Sequence, residues 1–353
     1  MKIVAMLNVL DLFCGCGGIA LGFELSGFNV FGGVDSDFDS TETFAKNFPS
    51  AIVKNTSVEA NIYNNEKVVR DFHKNKVDVL VGGPPCQGFS AANRWQKVDN
   101  DPRNKLFFEF IRIAKLVKPK VILVENVRGI LSKNNGYAKE QITKLLFNLG
   151  YNVTSQVLDA SDYGVPQVRK RAFFVGIRKN HEQKFDFSIL KKKLPVTVGS
   201  AISELYSIEN KSSVEAQKVY CLRNKMNSFT RFIKKGSKSL LNHEITYPAQ
   251  STQDKISHVP QGGNWQNIPQ DLFPRNRNNR HSSAFKRLKE DDFSVTIDTG
   301  NAHSNYFHPV FHRIPTVREA ARLQSFPDRF EFFGSRTSQY RQVGNAVPPL
   351  LAK

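Results

Sequence analysis

Short apolar runs rich in β-branched residues recur through the first half of the chain, and they constrain its fold more than any other feature. Residues 77–81 read VDVLV and 121–124 read VILV, with related runs at Val9–Phe13 and Asn29–Val34. Each is too short for a helix and is bounded by Gly or polar residues. Such runs fit strands buried on both faces of a sheet. Helical patterns lie between them. Ile19, Leu21, Phe23 and Leu25 follow the first run, and Leu106–Val117 reads as a helix that Pro119 stops. Strands alternating with helices predict a parallel sheet with crossover helices, an α/β doubly wound architecture.

The pattern degrades after about residue 185, and Lys191-Lys192-Lys193 with Pro195 looks like a boundary. Residues 210–300 are rich in Asn, Ser, Lys, Arg and His. QGGNW (261–265) and PRNRNNR (274–280) read as basic loops there. Order returns from Thr316, where Arg318–Gln324 reads as a helix ended by Pro327. A chain of 353 residues suits one large domain plus a smaller one. Its net charge of +18 favours a polyanionic partner, nucleic acid before an anionic membrane. No apolar run approaches the ~20 residues of a membrane helix. Met1–Leu10 leads directly into a Gly-rich loop and reads as a buried strand, not a signal peptide. Four cysteines, at 14, 16, 86 and 221, are too few and scattered for a disulfide framework, and a reducing cytoplasm is the simplest setting. Cys14 and Cys16 have no second Cys pair or His cluster, so no metal site is expected.

Two loops carry the chemistry. The first, DLFCGCGG (11–18), joins a strand to a helix, an arrangement that lets backbone N–H groups approach a nucleotide-like ligand. Asp35, at the end of the next strand, is placed to accept from ribose hydroxyls. The spacing is G-x-G-G and no phosphate-binding Lys follows. That disfavours NAD or ATP and favours a nucleoside without phosphates, such as S-adenosyl-L-methionine. The second loop, GGPPCQGFS (82–90), follows VDVLV. Pro84 and Pro85 fix φ and lack N–H donors, so Cys86 sits on a stiff loop at the carboxyl end of a strand. A packing role is the commonest alternative for a lone Cys, and these neighbours suit it poorly. Glu125, directly after VILV, is a candidate proton donor with Asn126 beside it. Arg169 and Arg171 are two apart; on an extended segment both point the same way and can hold a base carbonyl and flanking phosphates.

The motifs resemble those of the cytosine-5 DNA methyltransferase family, in order along the chain. DLFCGCGG (11–18) looks like the first cofactor loop and GGPPCQGFS (82–90) like the nucleophile loop. ENV (125–127) looks like the acidic motif, and QVRKR (167–171) like the paired-arginine motif. REAARLQSFPD (318–328) and YRQVGNAVPP (340–349) look like the closing motifs. The resemblance implies a mostly parallel sheet of the S-adenosylmethionine-dependent methyltransferase type, with a smaller irregular target-recognition domain. Residues 1–185 and 311–353 would form the catalytic domain and 186–310 the recognition domain. It implies Cys86 as nucleophile at cytosine C6, Glu125 at N3, and Arg169 and Arg171 on the base. The methyl donor, S-adenosyl-L-methionine, leaving as S-adenosyl-L-homocysteine, would be held by Phe13, Gly15, Gly17, Gly18, Asp35, Asn55 and the Asn345-Ala346-Val347 turn. Two positions depart from the family: Asp35 where Glu is commoner, and Asn55 where Asp usually meets the adenine amine. Thr296, within VTI (295–297), resembles a phosphate-contacting element.

A target cytosine inside a duplex must rotate out to react. The expected partner is therefore double-stranded DNA, bound by a monomer, in a bacterial or phage restriction-modification system. Its endonuclease would be a genetic partner and its setting the cytoplasm. An RNA cytosine methyltransferase is the first rival, but the Cys-Phe-Thr tripeptide of that branch is missing: Cys221 is followed by Leu222 and Arg223. A DNA-binding protein with a dead site is disfavoured by the intact Cys86, Glu125 and arginine pair. A Cys hydrolase would need a His within the matched motifs, and none is there.

Overall fold

The structure is a computed structural model, and it describes residues 6–56, 76–85, 105–181, 183–221, 226–272, 285–299 and 306–353. The chain forms two compact units. One comprises Met1–Ala160, Lys170–Lys192 and Leu351–Lys353; the other comprises Ser161–Arg169 and Lys193–Leu350. Residues 311–350, grouped with 1–185 on sequence motifs, therefore pack with 193–310.

The first unit is built on a seven-stranded sheet. Its strands are β1 (Asn8–Leu12), β2 (Asn29–Asp35), β3 (Ile52–Asn55), β4 (Val79–Gly82), β5 (Val121–Val127), β6 (Tyr151–Asp159) and β7 (Lys170–Arg178). The order is β3-β2-β1-β4-β5-β7-β6. Strands β1 to β5 pair in parallel, and β7 runs antiparallel to both β5 and β6. The expected doubly wound, mostly parallel sheet is thus present. Order reverses between β1 and β4, so the chain leaves these adjacent strands toward opposite sides. Open α/β sheets hold ligands in the crevice at such a reversal. The Gly-rich loop follows β1 and the Pro-Pro-Cys loop follows β4.

Helices α1 (Gly18–Glu24), α2 (Phe38–Asn47), α3 (Lys105–Val117) and α4 (Tyr137–Asn148) accompany this sheet. Leu10, Leu12, Leu80, Ile122, Val124 and Phe174 pack with Phe107, Phe110 and Ile113 of α3 and Ile142 and Leu146 of α4. The Phe44 ring of α2 covers Gly33 so closely that a Cβ there would meet it at 2.7 Å. Gly17 faces the same wall, with Phe48 at 2.6 Å from a Cβ, and its φ of +99° also requires glycine. Burying one such ring stabilises by roughly 1.5–3 kcal/mol, which fixes the loop over the sheet.

The second unit holds short helices, α5 (Val198–Ile202), α6 (Ser213–Cys221), α7 (Ser228–Lys234), α8 (Gln250–Ser257), α9 (Val317–Leu323) and α10 (Arg336–Asn345). A two-residue parallel pair joins β8 (Lys286–Arg287) to β9 (Tyr306–Phe307). Its interior is unusually ionic. Arg313 pairs with Glu209 at 2.6 Å and Glu319 at 2.8 Å, and Arg322 pairs with Asp328 at 2.6 Å and Glu204 at 2.7 Å. Buried charges survive only when paired and hydrogen-bonded, so each arginine dictates where its acids must sit. Arg287 is held otherwise: it donates to the carbonyls of Pro309, Val259 and Val310. The QGGNW segment is tied to it by Gly262 N–H to Arg287 O and Arg287 N–H to Gly263 O, both 3.0 Å. PRNRNNR (274–280) lies outside the described residues.

Candidate active site

At the end of β1 the backbone turns through left-handed conformations at Phe13 (φ 59°) and Gly15 (φ 51°). For Phe13 this is a strained position of the kind found where a chain must present backbone to a ligand. The turn is braced by Asp35 at the end of β2. Its Oδ2 accepts from Gly15 N–H at 2.8 Å and its Oδ1 from Asp37 N–H at 3.0 Å. Burial pushes the Asp35 carboxyl up from its ordinary value, and these two amides oppose the shift. Each oxygen keeps a further lone pair for a hydroxyl donor. Asn55, paired with Asp35 across β2 and β3, stands beside it and is exposed.

A nucleoside-type methyl donor suits this corner. A Cβ added at Gly15 would meet nothing within 4 Å, so open space lies against the loop backbone. Asp11, 1% exposed, has neither carboxylate oxygen in a hydrogen bond within the protein. Burial drives its carboxyl well above the ordinary value, partly offset by the nearby Ala20 amide, which lies outside hydrogen-bonding geometry. The thiols of Cys14 and Cys16 are buried and pushed up likewise, which makes them inert packing groups. Neither Asp11 nor these thiols stood out as site residues in the sequence. The signal for Asp11 was an acid inside an otherwise apolar strand.

Beyond β4 the chain reads Gly83-Pro84-Pro85 and then Cys86, which lies outside the described residues. Gly82 fits closely: a Cβ there would come within 2.3 Å of Leu12 O. Glu125 lies on β5, where Arg171 Nε meets its Oε1 at 3.0 Å, with both side chains largely buried. Burial lowers the Arg171 pKa, and the Glu125 charge opposes that. The pair is mutually neutralising and leaves Oε2 of Glu125 toward Gly83, whose absent Cβ would lie 2.9 Å away.

Arg169 behaves differently. It is 1% exposed and donates to Ile297 O at 3.1 Å and Gly344 O at 2.8 Å. Arg171 thus meets a carboxylate, while Arg169 donates to backbone carbonyls of the second unit. The reason is local: β7 begins only at Lys170, and residues 167–169 are held instead by the Gln167–Ser294 bridge and by Thr296 Oγ1 donating to Val168 O at 2.7 Å. Strand alternation does not extend across that junction. The Asn345-Ala346-Val347 turn is also fixed from within the second unit, by Gln324 Nε2 donating to Val343 O and Ala346 O. The Asn345 side chain is exposed. Among the described residues no group of three or more His, Cys, Asp or Glu is arranged to hold a metal. No described helix is long and apolar enough to cross a membrane.

The family model described as C-5 cytosine-specific DNA methylase matches residues 7–353. Type II methyltransferase M.DdeI of Desulfomicrobium norvegicum is 35% identical over 98% of this chain and 87% of its own length. Type II methyltransferase M1.HphI of Haemophilus parahaemolyticus is 37% identical over 98% and 85%. Among solved structures, a protein assigned as a DNA modification methyltransferase encoded within an E. coli prophage superposes with a TM-score of 0.77. It is 28% identical and the match covers 98% of this chain and 96% of that one. The S. pombe Dnmt2 methyltransferase, 18% identical with a TM-score of 0.57, shares the fold. With its reversal-point loops, its Glu125–Arg171 pair and a family match across nearly its whole length, this chain belongs to the C-5 cytosine-specific DNA methylase family and is a DNA (cytosine-5-)-methyltransferase.

Proposed function

We propose that this enzyme methylates C5 of a flipped-out cytosine in a specific duplex DNA sequence, through a covalent Cys86 adduct, as the modification arm of a bacterial or phage restriction-modification system. The observation that carries the mechanism is the Glu125–Arg171 pair, seated against Gly83 at the entry to the Cys86 loop.

Cytosine C5 is a weak nucleophile while the ring is aromatic. The Cys86 sulfur adds to C6, which makes C5 enamine-like. Glu125 holds or delivers the proton at N3 that relieves the charge of addition. Arg171 keeps the Glu125 carboxylate in place and adds positive charge beside the base. Arg169 serves from the second unit, by holding the backbone at Ile297 and Gly344. S-adenosyl-L-methionine, when bound, supplies an electrophilic methyl on sulfur. Asp35 accepts from its ribose, Asn55 offers a carbonyl to its adenine, Asp11 offers a buried carboxyl beneath the glycine loop, and Phe13, Gly15, Gly17 and Gly18 shape the wall. The family resemblance assigns Asn345, Ala346 and Val347 to the same cofactor. The Lys- and Arg-rich stretch 186–310 contacts phosphates and base edges, with the Thr296 hydroxyl, donated to Val168 O, bracing it from within, and 1–185 with 311–353 supply catalysis. The protein works as a monomer in the cytoplasm.

Incubation with tritiated methyl donor and duplex DNA should label cytosine at C5, and Cys86→Ser should lose all label while binding DNA as before. Label on transfer RNA but not on DNA, or turnover by Cys86→Ser, would overturn the reading.

A further inference from the structure

We propose that Asn126 is a positioning residue: its side-chain amide locks the Cys86-bearing loop to the Glu125-bearing strand, in place of backbone donors that Pro84 and Pro85 lack. The inference rests on the catalytic reading above and extends it to a residue with no role there.

The parallel ladder between β4 and β5 runs from Val79 opposite Val121 to Gly82 opposite Val124 and stops. To continue, the chain beyond Gly82 would have to donate N–H groups toward β5. Residues 84 and 85 are prolines and have none. At this point Asn126 Nδ2 donates to Pro84 O at 3.0 Å. The amide is oriented from its other end, because Asn126 Oδ1 accepts from Val127 N–H at 3.0 Å. With the oxygen committed to Val127, the NH₂ must face Pro84. The side chain therefore acts as a rung of fixed polarity. An aspartate in its place would keep the bond from Val127 but set an acceptor against the Pro84 carbonyl.

The neighbouring residue pair makes the lock consequential. Gly83 lies against Glu125, with the site of an absent Cβ 2.9 Å from Oε2. Consecutive loop residues, Gly83 and Pro84, thus meet consecutive strand residues, Glu125 and Asn126. The nucleophile follows two residues after Pro84, on a segment stiffened by Pro85. Displacing a reacting group by about 1 Å costs on the order of 10²-fold in rate. The strand does not need this bond to fold, since β5 is laddered on both sides by β4 and β7.

The test separates addition from methyl transfer. Duplex DNA carrying tritium at the target C5 exchanges it with water when no donor is present. The Cys86 sulfur adds to C6 as N3 gains a proton, C5 takes a proton from water, then tritium leaves C5, N3 gives its proton back and the C6–S bond breaks. Asn126→Ala and the isosteric Asn126→Asp should each slow this exchange and kcat together, by about 10- to 100-fold. The KM for DNA, the Kd for S-adenosyl-L-homocysteine and the unfolding midpoint should stay at wild-type values, and Asp should be the slower variant. If Asn126→Ala unfolds, Asn126→Asp carries the test. Exchange at the wild-type rate in a folded variant, or a loss of donor affinity that accounts for the loss of rate, overturns the positioning role. Failure of the wild-type enzyme itself to exchange or methylate cytosine would instead overturn the catalytic reading.

Discussion

His308 offers a stability test of the ionic interior of the second unit. Its ring is fully buried, edge-on to Tyr206 at 4.9 Å and tilted over Phe311 at 4.7 Å. Nδ1 accepts from the amides of Val310 (3.1 Å) and Phe311 (3.0 Å), which puts the proton of the neutral ring on Nε2. Glu319 Oε1 lies 3.6 Å from Nε2 and favours a charged ring, as does Glu209, while Arg313 and Arg287 oppose it. Burial outweighs these and pushes the pKa down to about 4. In an unfolded chain the imidazole titrates near 6.5. The folded value is depressed, so the stabilisation is complete above pH 6.5 and is lost as pH falls toward 4, because only the unfolded state takes up the proton. Linkage puts the loss between about pH 7.5 and pH 5 at about 2 kcal/mol. In His308→Asn, a carbonyl oxygen can accept the same two amides without titrating. The variant should start less stable at the higher pH, by roughly 1–3 kcal/mol for the lost ring. Its stability should then fall by about 2 kcal/mol less than wild type on acidification. Urea unfolding of both full chains at the two pH values measures this. Parallel pH dependences would refute the buried neutral ring.

Two further outcomes concern the site. Gly83→Ala places a Cβ 2.9 Å from Glu125 Oε2, and the carboxylate must retreat by about half an ångström, strained against its 3.0 Å pair with Arg171. Turnover should fall at least about tenfold with little change in unfolding midpoint, and wild-type kcat would show that the placement of Glu125 is not critical. Asp35→Ala removes the acceptor for the Gly15 and Asp37 amides. Calorimetry with S-adenosyl-L-homocysteine should show affinity weakened by on the order of 10- to 100-fold, and unchanged affinity would move the donor elsewhere.

The middle of the sheet was legible because its strands carry short, continuous apolar runs: β1, β2 and β4 appear within a residue or two of their expected places, and β5 starts at the expected Val121 but runs three residues further, to Val127. Helix α9 lies one residue ahead of the Arg318–Gln324 run read as helical, and the reciprocal Thr316–Glu319 cap that starts it went unread. The rest of the second unit was not legible. Its helices are too short for a periodic apolar stripe to stand out. They are fixed by single caps, such as Asn227 on α7, and by ion pairs distant in sequence; Arg313 and Glu209 are 104 residues apart. In the site, residue types and strand ends named Glu125, Asp35 and the glycine loop as candidates. The separate fates of Arg169 and Arg171 were hidden, because they depend on where β7 starts and on Ser294 and Ile297 more than a hundred residues later. Asn126 was visible only as a neighbour of Glu125.

The second unit is discontinuous: it borrows Ser161–Arg169 from the middle of the chain and extends to Leu350. This limits how recognition regions can be exchanged between related enzymes. A transplanted 193–310 cassette would carry away Ser294, Thr296 and Ile297 while leaving Gln167, Val168 and Arg169 in the host. Arg169 would keep Gly344 O but face a foreign backbone where Ile297 O had accepted from its buried guanidinium. A recombination boundary drawn at the edge of the variable region cuts through a hydrogen-bonded seam. Chimeras that inherit residues 161–169 together with 193–350 keep that seam intact.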